Sequence, residues 1–169
     1  MGGGTGIPGG YQPRHTRLVE ITARADYTLR ALAHLAAADG GPLTVGQIAE
    51  AQDIPAGFLQ NILLQLRRRG IVRSQRGSDG GYRLARPASQ ITLADAFRAV
   101  EGPLAGVRGE RPETLIYEGP AAALADVWVA VRVSLRDIME RTTVADVAFG
   151  PLPPHVVAAA ALPGARETR

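Results

Sequence analysis

A mainly α fold with one small β-hairpin is what this sequence predicts, on three observations. Apolar residues recur at helical spacing in successive stretches between residues 23 and 141. One short stretch, residues 71–84, switches to strand-forming residues on either side of a Gly-rich turn. The last long apolar pattern steps by four, three, four and three, the spacing of a helix–helix seam. The sum is a winged helix-turn-helix unit followed by a long dimerisation helix. The expected partition is an unstructured tail at 1–18, the winged unit at 19–90, and a linking helix and loop at 91–120. The dimerisation helix then takes 121–148, and a second unstructured tail takes 149–169.

The first 17 residues, rich in Gly and Pro and without periodicity, read as the unstructured tail, and His15 there as solvated. A first helix is expected from about Ala23 to Ala38, with Thr22 as N-cap and a stripe of Leu29, Leu32, Leu35 and Ala36. His34 on it has no second ligand one helical turn away and reads as structural. Thr44 opens the second helix, where Thr44-Val45-Gly46-Gln47 matches a capping box and Val45, Ile48 and Ala49 give the apolar face. A short turn through Asp53 leads to Pro55, placed where a first-turn proline costs nothing.

The third helix is expected over 55–69. Phe58, Leu59, Ile62, Leu63 and Leu66 form its buried face. The other face presents Ala56, Gly57, Gln60, Asn61, Leu64, Arg67 and Arg68. A second helix of this kind enters the DNA major groove by its N-terminal part. Small Ala56 and Gly57 permit close approach. The amides of Gln60 and Asn61 suit base edges, and the late Arg67 and Arg68 suit phosphates. Gly70 ends the helix. Residues 71–74 and 82–84 then pair as a hairpin across 75–81, with Arg76 at the turn as groove or phosphate probe.

Thr92 and Asp95 repeat the capping pattern for a short helix to Val100. Residues 102–120 form a loop of Gly, Pro and mixed charge. The final helix, about 121–141, carries the seam Leu124, Trp128, Val131, Leu135 and Ile138. The competing reading, packing against the chain's own core, is weaker because the helix lies outside the compact N-terminal unit. Thr143 to Asp146 starts a last turn.

Charge narrows the partner. Residues 54–86 hold seven arginines against one acid, Asp79, a net +6 in a chain whose total is only +3. A basic helix followed by a basic hairpin is the electrostatic footprint of a winged helix on double-stranded DNA. Every basic side chain is Arg and none is Lys, which favours bidentate contacts to phosphate and guanine. The candidate DNA-binding set is Thr44, Pro55, Ala56, Gly57, Gln60, Asn61, Arg67, Arg68, Arg76, Gly77, Ser78, Gly80 and Tyr82. Cysteine is absent, which removes disulfides, thiol nucleophiles and thiolate metal sites. No secretion signal or membrane-length apolar run is visible, so the expected compartment is the cytoplasm. No cofactor and no metal ligand set is expected, and no nucleophile–base pairing is suggested by spacing.

On these residues the chain resembles the IscR/NsrR/CymR-type winged-helix regulators, the Rrf-two family. The matching pieces are ADYTLRALAHLA (25–36), FLQNILLQLRRRGIV (58–72), SQRGSDGGYRLARPASQITLADAFRAVEGPL (74–104) and VWVAVRVSLRDIMERTTVADV (127–147), covering about 19–148. The resemblance implies a homodimeric bacterial regulator, usually a repressor, on a pseudo-palindromic operator. The helix at 55–69 would lie in the major groove and the wing around Arg76 in the minor groove. Several members sense redox state or nitric oxide through a cysteine-held iron–sulfur cluster between the short helix after the wing and the long helix. Here that stretch reads VRGERPE (107–113), without cysteine, which excludes a thiolate-held cluster. Gln60 stands where many relatives carry Glu, and Ser78-Asp79 where Pro-Gly is usual.

Two rival classes compete with a DNA-binding regulator. One is a winged helix that docks a protein through the same face, against which the +6 segment argues. The other is an enzyme built on Glu110, Glu113 and Glu118. An anionic small-molecule effector beside Arg108, Arg111, Tyr117 and Trp128 is weighed against interlocking ion pairs to Glu110 and Glu113, and the ion pairs are favoured.

Overall fold

The computed structural model describes residues 21–38, 40–77 and 80–167. The N-terminal tail and Ser78 lie outside that set. Three helices open the fold: α1 (Ala23–Ala37), α2 (Val45–Gln52) and α3 (Ala56–Arg68). Local chemistry sets their ends. Thr22 Oγ1 accepts the Ala25 N–H and caps α1. At α2 the capping box is complete, with Thr44 Oγ1 accepting the Gln47 N–H and Gln47 Oε1 accepting the Thr44 N–H. Asp53 makes the turn between α2 and α3 at φ 49°, a left-handed conformation that short polar side chains tolerate. At the far end of α3 the Ile71 N–H donates to Leu66 O at 2.9 Å and the Gly70 N–H to Arg67 O at 3.0 Å. With Gly70 at φ 69° this is a complete Schellman stop.

The hairpin follows as β1 (Val72–Gln75) and β2 (Gly81–Leu84), antiparallel, with Val72 opposite Leu84 and Ser74 opposite Tyr82. An isolated β-bridge from Leu43 joins it at Tyr82. The Leu43 N–H donates to Tyr82 O at 2.9 Å and the Tyr82 N–H to Leu43 O at 2.7 Å. Gly81 is required there, since a β-carbon would stand 2.4 Å from the Leu43 carbonyl oxygen. This bridge fixes the hairpin to the segment that leads into α2.

Helix α4 (Leu93–Val100) has its own capping box from Thr92 and Asp95 and buries Ala94, Ala96 and Val100. It packs on α1 and α3, so it belongs to the core and is not a linker. Helix α5 (Leu124–Glu140) departs from the core and α6 (Val144–Phe149) returns to it. The return is clasped by backbone: the Leu93 N–H donates to Thr142 O at 2.9 Å and the Val144 N–H to Ile91 O at 2.8 Å. The dimerisation stretch 121–148, expected as a helix to about 141 and a last turn from Thr143, is two helices, and buried Val144 seats the second against α1 instead of extending the seam. The expected C-terminal unstructured tail is likewise corrected: α7 spans Pro154–Ala160. Pro154 in its first turn has its φ preset, and the Ala-rich stretch behind it favours helix.

The core is one cluster of Leu32, Leu35, Ile48, Leu59, Ile62, Leu63, Leu66 and Ile91 with their neighbours. Phe58 is not in it. Expected on the buried face of α3, it is 43% exposed and meets the Tyr27 ring edge-on at 5.8 Å. Phe58 lies in the first turn of α3, where its ring packs on Tyr27 of α1 and stays open to solvent on its other side. Among the described residues no helix is long and apolar enough to cross a membrane.

Candidate nucleic-acid interface

With its Leu face sealed, α3 can offer only its other side. Ala56, Gly57, Gln60, Asn61, Arg67 and Arg68 are all exposed, whereas Leu64 is half-buried. Gly57 meets nothing within 4 Å where a β-carbon would be, so the fold has no use for a glycine there. A helix-interior glycine costs about 0.5–1 kcal/mol relative to Ala. What Gly57 does provide is a flat surface next to two amides. Asn61 Nδ2 donates to Gly57 O at 3.2 Å, which holds its amide along the helix.

Arg67 Nη1 donates to Ser74 Oγ at 3.2 Å and so ties α3 to β1. Sequence reasoning treated Arg67 as a phosphate ligand. The structure also makes it the strut between helix and wing, while Arg68 stands exposed beside it. Thr44 and Pro55 sit exposed immediately before α2 and α3, with the Thr44 hydroxyl engaged in its capping box. In the wing, Arg76 is exposed and Gly77 takes φ 115°. Gly80 turns so tightly that a β-carbon would lie 2.6 Å from Gln75 O. Tyr82 is half-buried and packs against the core.

The hairpin register brings together a pair that sequence reasoning counted as charge but did not place in the site. Arg73 stands directly opposite Arg83. Like charges at opposed positions destabilise a strand pair unless an anion lies over them. Turn length was the available signal, because it fixes which residues face each other. Arg86 is different: it pairs with Asp95 at 2.7 Å.

Helix α5 presents the opposite situation to α3. None of its residues is buried. Val131 is exposed and Leu124, Trp128, Leu135 and Ile138 are only half-buried, while Val127 is 51% and Val133 59% exposed. Its anchors are polar and lie towards its C-terminal end: Arg98 of α4 and Arg136 both bond Glu140. These two hydrogen bonds, Arg98 first, hold the Glu140 carboxyl below its ordinary range. Asp146, at the N-terminus of α6, is lowered by the Thr143 N–H and hydroxyl that it accepts. In the loop before α5, Arg108 lies over the Tyr117 ring at 6.0 Å. Glu113 pairs with Arg132 of α5 rather than with its loop neighbours Arg108 and Arg111.

Two helices at a tight turn, a basic hairpin tied to the second of them, and an outer amphipathic helix define the winged helix-turn-helix class of DNA-binding transcription regulators. The chain belongs to the Rrf2 family, described as iron-dependent transcriptional regulators, whose model matches residues 21–149. It is 49% identical over 139 residues to a helix-turn-helix-type transcriptional regulator of Mycobacterium tuberculosis, covering 82% of this chain and 86% of the relative. The structure of CymR, the global cysteine regulator of Bacillus subtilis, superposes with a TM-score of 0.66 at 30% identity over 78% of this chain and 97% of that one. IscR of T. potens gives a TM-score of 0.63 at 29% identity, covering 76% and 85%. The chain is thus a member of a family of regulators and not of enzymes.

The family description names iron, and the donor set here does not fit it. The chain has no cysteine. Among the described residues no group of three His, Asp or Glu stands close enough to hold a metal ion. The loop between α4 and α5 presents arginines instead, and its Glu113 is engaged by Arg132.

Proposed function

We propose that this protein is a homodimeric repressor that binds a pseudo-palindromic operator, with α3 in the major groove and the β1–β2 turn in the minor groove. The observation that carries the reading is the outer face of α3. It combines a glycine the fold does not need, two exposed amides and two terminal arginines, with no acid among them. Gln60 and Asn61 read base edges, Arg68 and Arg76 meet phosphates or the narrow groove, and Arg67 sets the angle of the wing. Thr44 and Pro55 approach the backbone at the N-terminal ends of the two helices. Gly77 and Gly80 shape the turn and Tyr82 anchors it to the core, and Ser78, outside the described residues, is assigned to the same DNA contact by its sequence position. The seam Leu124, Trp128, Val131, Leu135 and Ile138 joins two copies, which spaces two α3 helices for two half-sites one helical turn apart.

The test separates reading from positioning. An operator is first selected from random duplexes, and binding to it and to scrambled DNA is then titrated at several salt concentrations. Gln60→Ala is expected to weaken the operator by about 1–3 kcal/mol and leave scrambled DNA nearly unchanged. Arg68→Ala is expected to weaken both and to lower the salt slope by roughly 0.9 per lost contact. Equal losses on both duplexes for Gln60→Ala would show that α3 does not read bases through this residue.

A further inference from the structure

Away from the outer face of α3, five arginines converge on one cleft. Arg69 comes from the end of α3, Arg98 from α4, Arg111 from the following loop, and Arg132 and Arg136 from α5. The turn at 102–104 closes one side, and the cavity is about 330 Å³. That is within the size range of small-ligand sites, though at its lower end. Two carboxylates touch this group: Glu140, held by Arg98 and Arg136, and Glu113, held by Arg132. They leave the cluster three positive charges in excess. Arg69 and Arg111 make no side-chain hydrogen bond or ion pair among the described residues. Arg132 is the most enclosed of the ion-paired arginines, and its Nε is buried with no acceptor. An unpaired buried donor costs free energy until something accepts from it.

We propose that this cleft binds a small molecule through a phosphate or diphosphate group. The geometry favours phosphate over carboxylate. The guanidinium groups come from four separate segments of chain, the end of α3, α4, the loop and α5. A tetrahedral phosphate offers oxygens in several directions, whereas a carboxylate offers two along one edge. The ligand would bridge the end of α3 to α5. It would therefore couple the helix assigned to the groove to the helix assigned to the dimer seam. That coupling rests on the function proposed above; the binding itself does not.

The test uses the full chain and sodium pyrophosphate as probe, by calorimetric titration at ionic strength matched with sodium chloride. Saturable binding at one site per chain is expected. Arg69→Gln and Arg111→Gln should each weaken it at least fivefold, with Arg111→Lys between Arg111→Gln and wild type because it keeps the charge without the fork. Arg166→Gln, exposed and outside the cleft, should bind as wild type. Both Gln sites are exposed and outside every ion pair described, and circular dichroism checks that the variants fold. No saturable binding, or binding unchanged by both Gln substitutions, would overturn the proposal. Citrate binding as tightly as pyrophosphate would overturn the assignment to phosphate. If Arg69→Gln and Arg111→Gln instead lower affinity and salt slope for DNA in the absence of pyrophosphate, the cleft serves the DNA backbone and the proposal fails. Pyrophosphate binding without DNA binding would sink the regulator reading alone. DNA binding without pyrophosphate binding would sink this one alone.

Discussion

Helices α3 and α5 are both amphipathic, yet the fold treats their apolar stripes in opposite ways. The stripe of α3 at Leu59, Ile62, Leu63 and Leu66 is sealed against α1, α2 and α4, with none of the four more than 1% exposed. The stripe of α5 contributes no buried residue at all. Sealing makes α3 a rigid platform whose outer face is fixed by packing it does not share with a ligand. The half-buried seam of α5, with Val127, Val131 and Val133 exposed beside it, fits the helix–helix contact proposed above. A contiguous uncovered apolar face is uncommon on a protein that acts alone.

Substitutions along the two stripes offer the largest effects with which to break this contrast. Leu63→Ala should cost about 2–5 kcal/mol of stability, because it opens a cavity in a closed core. Leu135→Ala should cost well under half of that at concentrations where the chain is monomeric. Urea denaturation measures both, and comparable losses would mean that α5 is as much a part of the core as α3. Next comes the triple change Leu124→Asp, Val131→Asp and Leu135→Asp. Sedimentation should show monomers that keep their helical circular dichroism and bind operator weakly, and a species still dimeric would remove α5 as the seam.

Gly57→Ala sharpens the comparison on the α3 side. With open space around the site, it should stabilise the fold by about 0.5–1 kcal/mol while weakening operator binding. A variant that gains stability and keeps full affinity would show that the outer face does not need a flat surface. The smallest effect is pH-dependent and belongs to α5. The folded carboxyl of Glu140 is lowered by Arg98 and Arg136, so its contribution is complete at neutral pH. It is lost as pH falls below the ordinary glutamate range and through the folded value. Glu140→Gln should therefore lower thermal stability slightly at pH 7 and flatten its decline in acid, as followed by melting temperature against pH. An unchanged slope would detach Glu140 from the α4–α5 anchor.

What was legible in the sequence was local. Thr44 with Gln47 and Thr92 with Asp95 signal their helices because the cap and its partner lie three residues apart. The hairpin was legible because Gly80 and Gly81 mark a turn between two short apolar runs. The outer face of α3 followed from knowing its inner one. The misses were contacts between distant segments. Whether Phe58 is covered depends on what other helices place over the first turn of α3, and periodicity within α3 carries no such information. That α4 and α6 belong to the core depends on the backbone clasp between residues 91–93 and 142–144. The arginine cleft gathers side chains from residues 69, 98, 111, 132 and 136, and no spacing along the chain announces it. Charge counting found the seven arginines of 54–86 but could not say that Arg86 is neutralised by Asp95 or that Arg69 lines a cleft with Arg98 and Arg132.

The clasp that seats α6 also turns the chain between Val100 and Thr142 into a closed excursion, which leaves the core at the end of α4 and re-enters it beside the start of the same helix. The entropy of closing such a loop grows only with the logarithm of its length, about 0.6 kcal/mol for each doubling. Leu104, Pro112 and Leu115 are buried within the excursion, so residues inserted at the exposed positions 108–111 are the change expected to alter the stability of the winged core very little. The tip of the excursion is free to be rewritten, while the buried residues on either side of it keep their places.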